Sequence, residues 1–373
     1  MNILLLSAYH SASHRYWCEG LIKAFPEHNW ILKTQPARHF SWRVQASGLL
    51  WGLEADADFK RSYDLIVATS LSDLGTLKAM CPALQSVPVW VYFHENQFAH
   101  PLSGKQNRDH QIGWQFQSIQ NALMADWISF NTNFNRRTFV EGARKLLKRL
   151  PEKLPGDPIS RIERQSDVLP VPLSDTCRAF KQVPKEKDLI IWNHRWEWDK
   201  QPKRFLTALT EMRDDGIDFR LAMMGSGGGR SIEFDEFKDC LADRLVQWGH
   251  ASAEDYNHWL SRAGIGVSTA LHDFQGLSML ELAQAGATVV VPNRVAYPEC
   301  LPGAAFYPGS EQSERPDIDD LKAVLVALLR GELAQRPSLD RLPEWAQLRS
   351  EYDERLRFIA SMCGHRQPTV TGQ

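Results

Sequence analysis

The feature that most constrains this chain is a series of short apolar runs, several of them continuous where a half-exposed strand would alternate. The runs are Asn2–Ser7, Asp64–Thr69, Val87–Phe93, Trp127–Asn131, Asp167–Val171, Asp188–Asn193, Asp218–Met224, Leu245–Gly249, Gly264–Thr269 and Ala287–Pro292. A strand that is apolar at every position is buried on both faces, which is the situation of parallel sheets covered by helices. Helical patterns lie between the runs, among them Tyr16–Phe25, Gly113–Asp126, Arg136–Leu150, Pro202–Asp214 and Ser278–Gly286. Strand–helix–strand repetition predicts α/β doubly wound architecture.

With 373 residues the chain exceeds one ordinary domain. Residues 150–187 hold six prolines (Pro151, Pro155, Pro158, Pro170, Pro172, Pro184) and few apolar residues, the composition of a linker. It divides the runs into two groups of five. The expected domains are 1–168 and 185–343, both Rossmann-like. A helical pattern at about 344–365 is expected to cross back and complete the first. The stretch Ser310–Pro316 reads as a loop.

Composition excludes several classes. Thirteen Trp and 17 Phe argue against disorder. No apolar run approaches the ~18–20 residues of a membrane span, so stable membrane insertion is not expected. The opening MNILLLS lacks a basic region and a small-residue cleavage site, and reads as a strand. A net charge of −2 gives no global field for nucleic acid. The six cysteines are scattered without a CxxC, which fits a reducing, cytoplasmic setting and no zinc site.

Six segments carry candidate chemistry. The first is HDFQGLSMLELAQAGATVVVP, His272–Pro292, which runs from a strand end into a helix. Gly276 permits a tight turn, and the N–H groups of Gly276, Leu277 and Ser278 then form a phosphate-binding helix terminus. Glu281, one turn in, suits a ribose diol. The plainer alternative is a helix capped by Ser278 with a solvated Glu281. The second is IIWNHRWEWDK, Ile190–Lys200, where Arg195 and Lys200 follow a buried strand. Two cations at a strand's carboxyl end suit a diphosphate, against the alternative of a solvated loop. The third is VWVYFHENQFAHP, Val89–Pro101, which places His94, Glu95, Asn96 and Gln97 at another strand tip, where clefts are lined.

The fourth is the first loop, with Ser11, Ser13 and His14. It is a weak ligand signal, and an N-cap at Ser13 explains it as well. The fifth, MMGSGGGRS at Met223–Ser231, lacks P-loop spacing and reads as a surface or ligand-proximal loop. The sixth is residues 136–164, with nine basic residues (among them Arg144, Lys145, Lys148 and Arg149) against four acidic ones. This excess of five suits contact with a polyanion or a solvated face.

Taken together, YFHENQ, WNHRWEWDK and HDFQGLSMLE resemble the tRNA-queuosine mannosyltransferase family. HDFQGLSMLE is also similar to the E-x7-E region of retaining GT-B glycosyltransferases of family 4, Asp273 standing where the first Glu usually is. The resemblance runs from the first strand to about Glu299. It implies two Rossmann-like domains facing a cleft, and transfer of mannose from GDP-mannose to the cyclopentenediol of queuosine in tRNA-Asp. On this reading Arg195, Lys200, Gln275, Gly276, Leu277, Ser278 and Glu281 bind the donor. His94 and Asp273 flank the transferred sugar and are, with Glu281, the catalytic candidates. Ser13, His14, Glu95, Asn96, Gln97, Arg144, Lys145, Lys148 and Arg149 meet the acceptor. No metal or other cofactor is expected, because the cations and helix terminus neutralise the leaving diphosphate. The alternatives are a glycosyltransferase acting on lipid or polysaccharide, and a non-catalytic nucleotide-sugar or RNA-binding module.

Overall fold

A computed structural model describes residues 1–54, 56–100, 108–152, 154–225, 232–334 and 342–362. The chain forms two units, Met1–Pro172 with Trp345–Gln373, and Leu173–Glu344. Each holds one six-stranded, all-parallel sheet.

In the first unit the strands are β1 (Asn2–His10), β2 (Asn29–Pro36), β3 (Leu65–Thr69), β4 (Val89–Phe93), β5 (Trp127–Phe130) and β6 (Ser166–Val168). Their spatial order is β2-β1-β3-β4-β5-β6. Strands β3 and β4 are buried at every residue, as continuous apolar runs require. The helix Trp345–Ala360 belongs to this unit. Its Tyr352 is buried, accepts a hydrogen bond from Trp17 Nε1 (3.1 Å) and donates to the Pro170 carbonyl (3.0 Å). Residues 363–365 of the expected helix lie outside the described residues.

The second unit contains β7 (Glu186–Asn193), β8 (Arg220–Met224), β9 (Leu245–Gly249), β10 (Ala263–Val267), β11 (Thr288–Pro292) and β12 (Ala305–Tyr307). Their order is β12-β11-β10-β7-β8-β9. Alternate residues serve two separate cores. Ile190, Trp192, Leu221 and Met223 enter one, while Leu189, Ile191, Ala222 and Met224 enter the other. Two apolar faces on one strand erase the alternation that a one-sided strand would show.

Two strands escape the sequence reading, β2 and β12, and both are sheet edges. The β2 sequence NWILKTQP is mostly half-exposed and mixes polar with apolar residues; β12 has only three residues. The stretch 150–187 is not simply a linker. It contains the helix Pro158–Arg164 and β6, both packed on the first unit. Its prolines start that helix and shape the exit from β6.

In each sheet the chain reverses its direction of growth once, between β1 and β3 and between β7 and β10. The carboxyl ends at such a reversal leave a crevice where loops part to opposite faces, and this is where α/β sheets bind ligands.

Candidate functional site

The second unit's reversal point is built from the tips of β7 and β10. After β7 the chain runs through Asn193, His194 and Arg195 into a 3-10 turn, Trp198–Lys200. Lys200 is nearly buried. Its ammonium donates to the His272 carbonyl (2.5 Å) and lies 3.4 Å from Asp273 Oδ2 and 3.5 Å from Asp199 Oδ2. Asp273 in turn organises the loop that follows β10. Its Oδ1 accepts from the N–H of Gly276 (2.8 Å) and Gln275 (3.4 Å), and its Oδ2 faces the Tyr297 hydroxyl (3.2 Å). Burial alone would push this carboxyl up, but the Lys200 ammonium and the Gly276 N–H outweigh burial and hold it at about 2. Asp273 is therefore an ionised turn-forming group.

The turn ends at Gly276, whose φ of 75° lies in the left-handed region. A Cβ there would come within 2.7 Å of the Tyr297 ring, so both conformation and space call for glycine. Gly276 is the N-cap of the helix Leu277–Ala285, and its carbonyl takes the N–H of Met279 and Leu280. The N–H groups of Leu277 and Ser278 precede any intrahelical acceptor and are aligned for an anion. Ser278 does not cap the helix; its hydroxyl pairs with His194 Nδ1 at 3.3 Å. Gln275 is buried.

Glu281 is not solvated either. Its Oε2 accepts from the Tyr256 hydroxyl (2.8 Å), which receives a bond from Asn193 Nδ2 (2.9 Å). Burial raises this carboxyl's pKa, and the Tyr256 bond opposes the rise. His194 is buried and pushed down to about 3 by burial and the neighbouring Lys200, so it is neutral at physiological pH. A Cβ at Gly225 would strike the His194 carbonyl at 1.8 Å, which explains a glycine at the β8 tip. Residues 226–231 of the glycine-rich segment lie outside the described residues.

Lys200, Asp273, Gln275, Gly276, Leu277, Ser278 and Glu281 thus converge on one tip cluster. Arg195 does not join it: it is exposed and paired with Glu197 at 2.9 Å. Sequence reasoning missed His194, Asn193, Tyr256 and Tyr297. His194 and Asn193 had a signal, their place beside Arg195 at a strand end. Tyr256 and Tyr297 reach the site only through folding.

In the first unit the tips of β1 and β4 meet through two histidines. His94, the residue after β4, is buried, 4.4 Å ring to ring from His14 and packed on Trp17 and Tyr92. Neither of its ring nitrogens has a hydrogen-bond partner among the described residues, and burial holds its pKa well below the usual range. His14 donates from Nδ1 to the Tyr9 carbonyl at 2.5 Å. Ser13 is exposed and bonded to Ser11 (3.1 Å), but the helix Ala12–Ala24 has its N-cap at Ser11, not Ser13. Glu95 is half-buried and Gln97 buried, the two 3.4 Å apart. Pro101 lies outside the described residues.

Asn96 turns inward. Its Nδ2 lies within bonding range of the Asn135 carbonyl (3.0 Å), Asn135 Oδ1 (2.8 Å) and Thr138 Oγ1 (2.8 Å). Its Oδ1 accepts from the N–H of Phe98 (2.9 Å) and Ala99 (3.0 Å). It fastens the β4 tip to the helix Asn133–Leu147 and presents nothing to a ligand.

That same helix carries the basic segment, and the fold corrects its place. Asn135 bonds the Phe93 carbonyl at the carboxyl edge of the sheet (2.9 Å), and the helix runs back from there. Arg144, nine residues on, is about 14 Å farther along at ~1.5 Å per residue. Arg144, Lys145, Lys148 and Arg149 are all exposed, so the patch is real but sits away from the strand tips. Arg144 pairs with Glu163, which offsets its charge, and Arg136 is held by Ser166 Oγ (2.9 Å) and the Glu163 carbonyl (2.7 Å), neutral acceptors that fix its position. Lys153 lies outside the described residues.

Among the described residues Cys18, Cys81, Cys177, Cys240 and Cys300 are free thiols, and no helix is long and apolar enough to cross a membrane.

Comparisons with known proteins agree with this architecture. Residues 2–173 match the family described as tRNA-queuosine alpha-mannosyltransferase N-terminal. A tRNA-queuosine alpha-mannosyltransferase of Drosophila melanogaster is 29% identical over 322 residues, 82% of this chain and 83% of the relative. Among solved structures, a sucrose-phosphate synthase from Thermosynechococcus elongatus superposes with a TM-score of 0.62 at 12% identity, covering 97% of this chain and 100% of that one. A lipopolysaccharide outer core galactosyltransferase gives 0.60 at 13% identity, with 96% and 99% covered. At such identities the structural likeness speaks for the fold. The chain is thus similar to tRNA-queuosine alpha-mannosyltransferases, through its N-terminal half by the family model and over most of its length by the Drosophila relative, and it has the GT-B fold of glycosyltransferases.

Proposed function

We propose that this protein transfers mannose from GDP-mannose to the cyclopentenediol of queuosine in tRNA-Asp, in the cytoplasm, with retention of configuration and without a metal ion. The observation that carries the reading is the cluster of Lys200, Asp273 and the open helix N-terminus at Gly276–Ser278, at the β7/β10 reversal point. An ammonium beside the first-turn N–H groups of a helix is matched to a diphosphate leaving group. Arg195, on the same strand tip and in an exposed ion pair with Glu197, reaches the diphosphate when the donor arrives. Glu281, oriented by Tyr256, takes the ribose diol.

The chemistry follows from that charge placement. The sugar C–O bond to phosphate breaks while the acceptor hydroxyl oxygen bonds the same carbon on the same face. The hydroxyl proton passes to the leaving phosphate oxygen, so no protein nucleophile is needed. In the second unit Asp273 lies on the donor's sugar side; in the first unit His94 is neutral, its ring nitrogens have no hydrogen-bond partner among the described residues, and it is the residue assigned to the acceptor's approach. Ser13, His14, Glu95 and Gln97 line the acceptor side, and the exposed cations at Arg144–Arg149 hold RNA phosphates away from the reacting nucleoside. A folded RNA is long enough to span that distance.

The test is incubation with a panel of nucleotide-sugars and total tRNA, followed by nucleoside mass spectrometry. Queuosine heavier by one hexose, formed from GDP-mannose alone, is the expected product. Hexose on a lipid or glycan only, or none on any nucleoside, overturns the reading.

A further inference from the structure

The β7 tip carries two tryptophans with opposite fates. Trp196 is buried and packs edge-on against Trp248 (4.9 Å) and Phe234 (5.2 Å), closing the core beneath the site. Trp198, two residues later, is 43% exposed. At this tip it offers a solvent-facing aromatic face three residues from Arg195 and two from Lys200.

Its loop is also held in a specific shape. Lys200 N–H bonds the Glu197 carbonyl (3.0 Å). The Trp198 carbonyl accepts from both the backbone N–H (3.2 Å) and the side-chain Nε2 (2.6 Å) of Gln201. Gln201 itself sits at φ 50°, ψ 49°, a left-handed conformation uncommon outside glycine. Strain of this sort persists where the surroundings impose it, and it clusters at functional sites. Here it sends Lys200 inward toward Asp273 while Trp198 stays at the surface.

We infer that Trp198 is the stacking platform for the nucleobase of the RNA acceptor. This rests on the proposed function and names a residue for its acceptor side. The donor's diphosphate and ribose are matched by Lys200, the helix terminus and Glu281, all at least half-buried. The exposed ring on the same tip therefore faces the molecule that arrives from solvent. A nucleoside within RNA must leave its stack to bring a hydroxyl to an enzyme, and aromatic side chains replace the lost stacking.

The test is steady-state kinetics of the full chain with GDP-mannose and queuosine-containing tRNA, comparing wild type, Trp198→Ala and Trp198→Phe. The alanine variant should raise KM for tRNA by ~10- to 100-fold, as loss of one stacked base does. KM for GDP-mannose should stay within about twofold, and phenylalanine should restore most of the tRNA affinity, as sequence-tolerant stacking allows. Because the ring is exposed, thermal unfolding of both variants should match wild type. An unchanged tRNA KM with an active wild type overturns this inference alone. A rise in the donor KM instead assigns the ring to the donor and also overturns it. A wild type that modifies no tRNA overturns the proposed function and this inference with it.

Discussion

Replacing Lys200 with methionine keeps most of the side chain's bulk and removes only its charge and three donors. The ammonium is nearly buried, bonded to the His272 carbonyl and placed between the Asp273 and Asp199 carboxylates. Two consequences follow. In turnover, the variant loses a preorganised cation at the leaving diphosphate, which costs ~10²–10³-fold in kcat. In stability, Asp273 loses the partner that overcomes its burial. Its pKa in the folded protein is about 2 against an ordinary 3.8, a difference on the order of 2 kcal/mol at 1.36 kcal/mol per pH unit. A depressed carboxyl stabilises the fold fully above its unfolded value, and that contribution is lost as pH falls through about 2. Without Lys200, burial dominates and the pKa rises above the unfolded value, so the variant is penalised at neutral pH and relieved on acidification. Urea unfolding at pH 7 and pH 4.5, read beside kcat from a mannosyl-transfer assay, measures both. The variant should be less stable by at least ~2 kcal/mol at pH 7, with the deficit narrowing at pH 4.5. A kcat within threefold of wild type refutes the donor-site assignment, and a deficit that does not narrow with acid refutes the electrostatic account of Asp273.

Asp317 accepts from Arg204 (2.9 Å), Arg294 (2.9 Å) and the Ser310 N–H (3.2 Å) while buried, so Asp317→Ala strands two buried guanidinium groups. It should cost ~3–5 kcal/mol in denaturant unfolding, and a loss under 1 kcal/mol would count against that buried triad. Asn96→Ala leaves the N–H groups of Phe98 and Ala99 unpaired and frees the β4 tip, so unfolding free energy should drop by ~2–3 kcal/mol with donor KM unchanged. Reversing Arg144, Lys145, Lys148 and Arg149 to Glu should abolish tRNA binding in gel shifts and spare nucleotide-sugar binding, with wild-type affinity falling steeply with salt; unaltered gel shifts leave the patch a solvated face. Transfer should persist in excess chelator, and activity lost there and restored by magnesium or manganese would overturn metal-free neutralisation of the diphosphate.

What the sequence by itself determined is local. Strands buried on both faces leave continuous apolar runs, so the central strands of both sheets were legible, and with them the residues just beyond their carboxyl ends. Lys200, Gly276 and Glu281 were singled out because strand tips and helix N-termini are places of known chemistry, and the fold brings them together at one tip. Of the four edge strands, the runs of β6 and β9 were legible, but β2 mixes polar with apolar residues and β12 has only three residues, so neither imprinted a pattern. Side-chain allegiance also depended on the tertiary structure. Asn96 and Gln97 are neighbours in one polar run, yet one is bound into the Asn133–Leu147 helix and the other sits beside Glu95. Tyr256 and Tyr297 reach Glu281 and Asp273 across 25 and 24 residues, a distance over which no local signal survives. The direction of a helix decided the rest. A run of cations looks adjacent to a site when read along the chain, but a helix that follows a parallel strand must run back along the sheet, and this one carries Arg144–Arg149 away from the tip where its first turn is anchored.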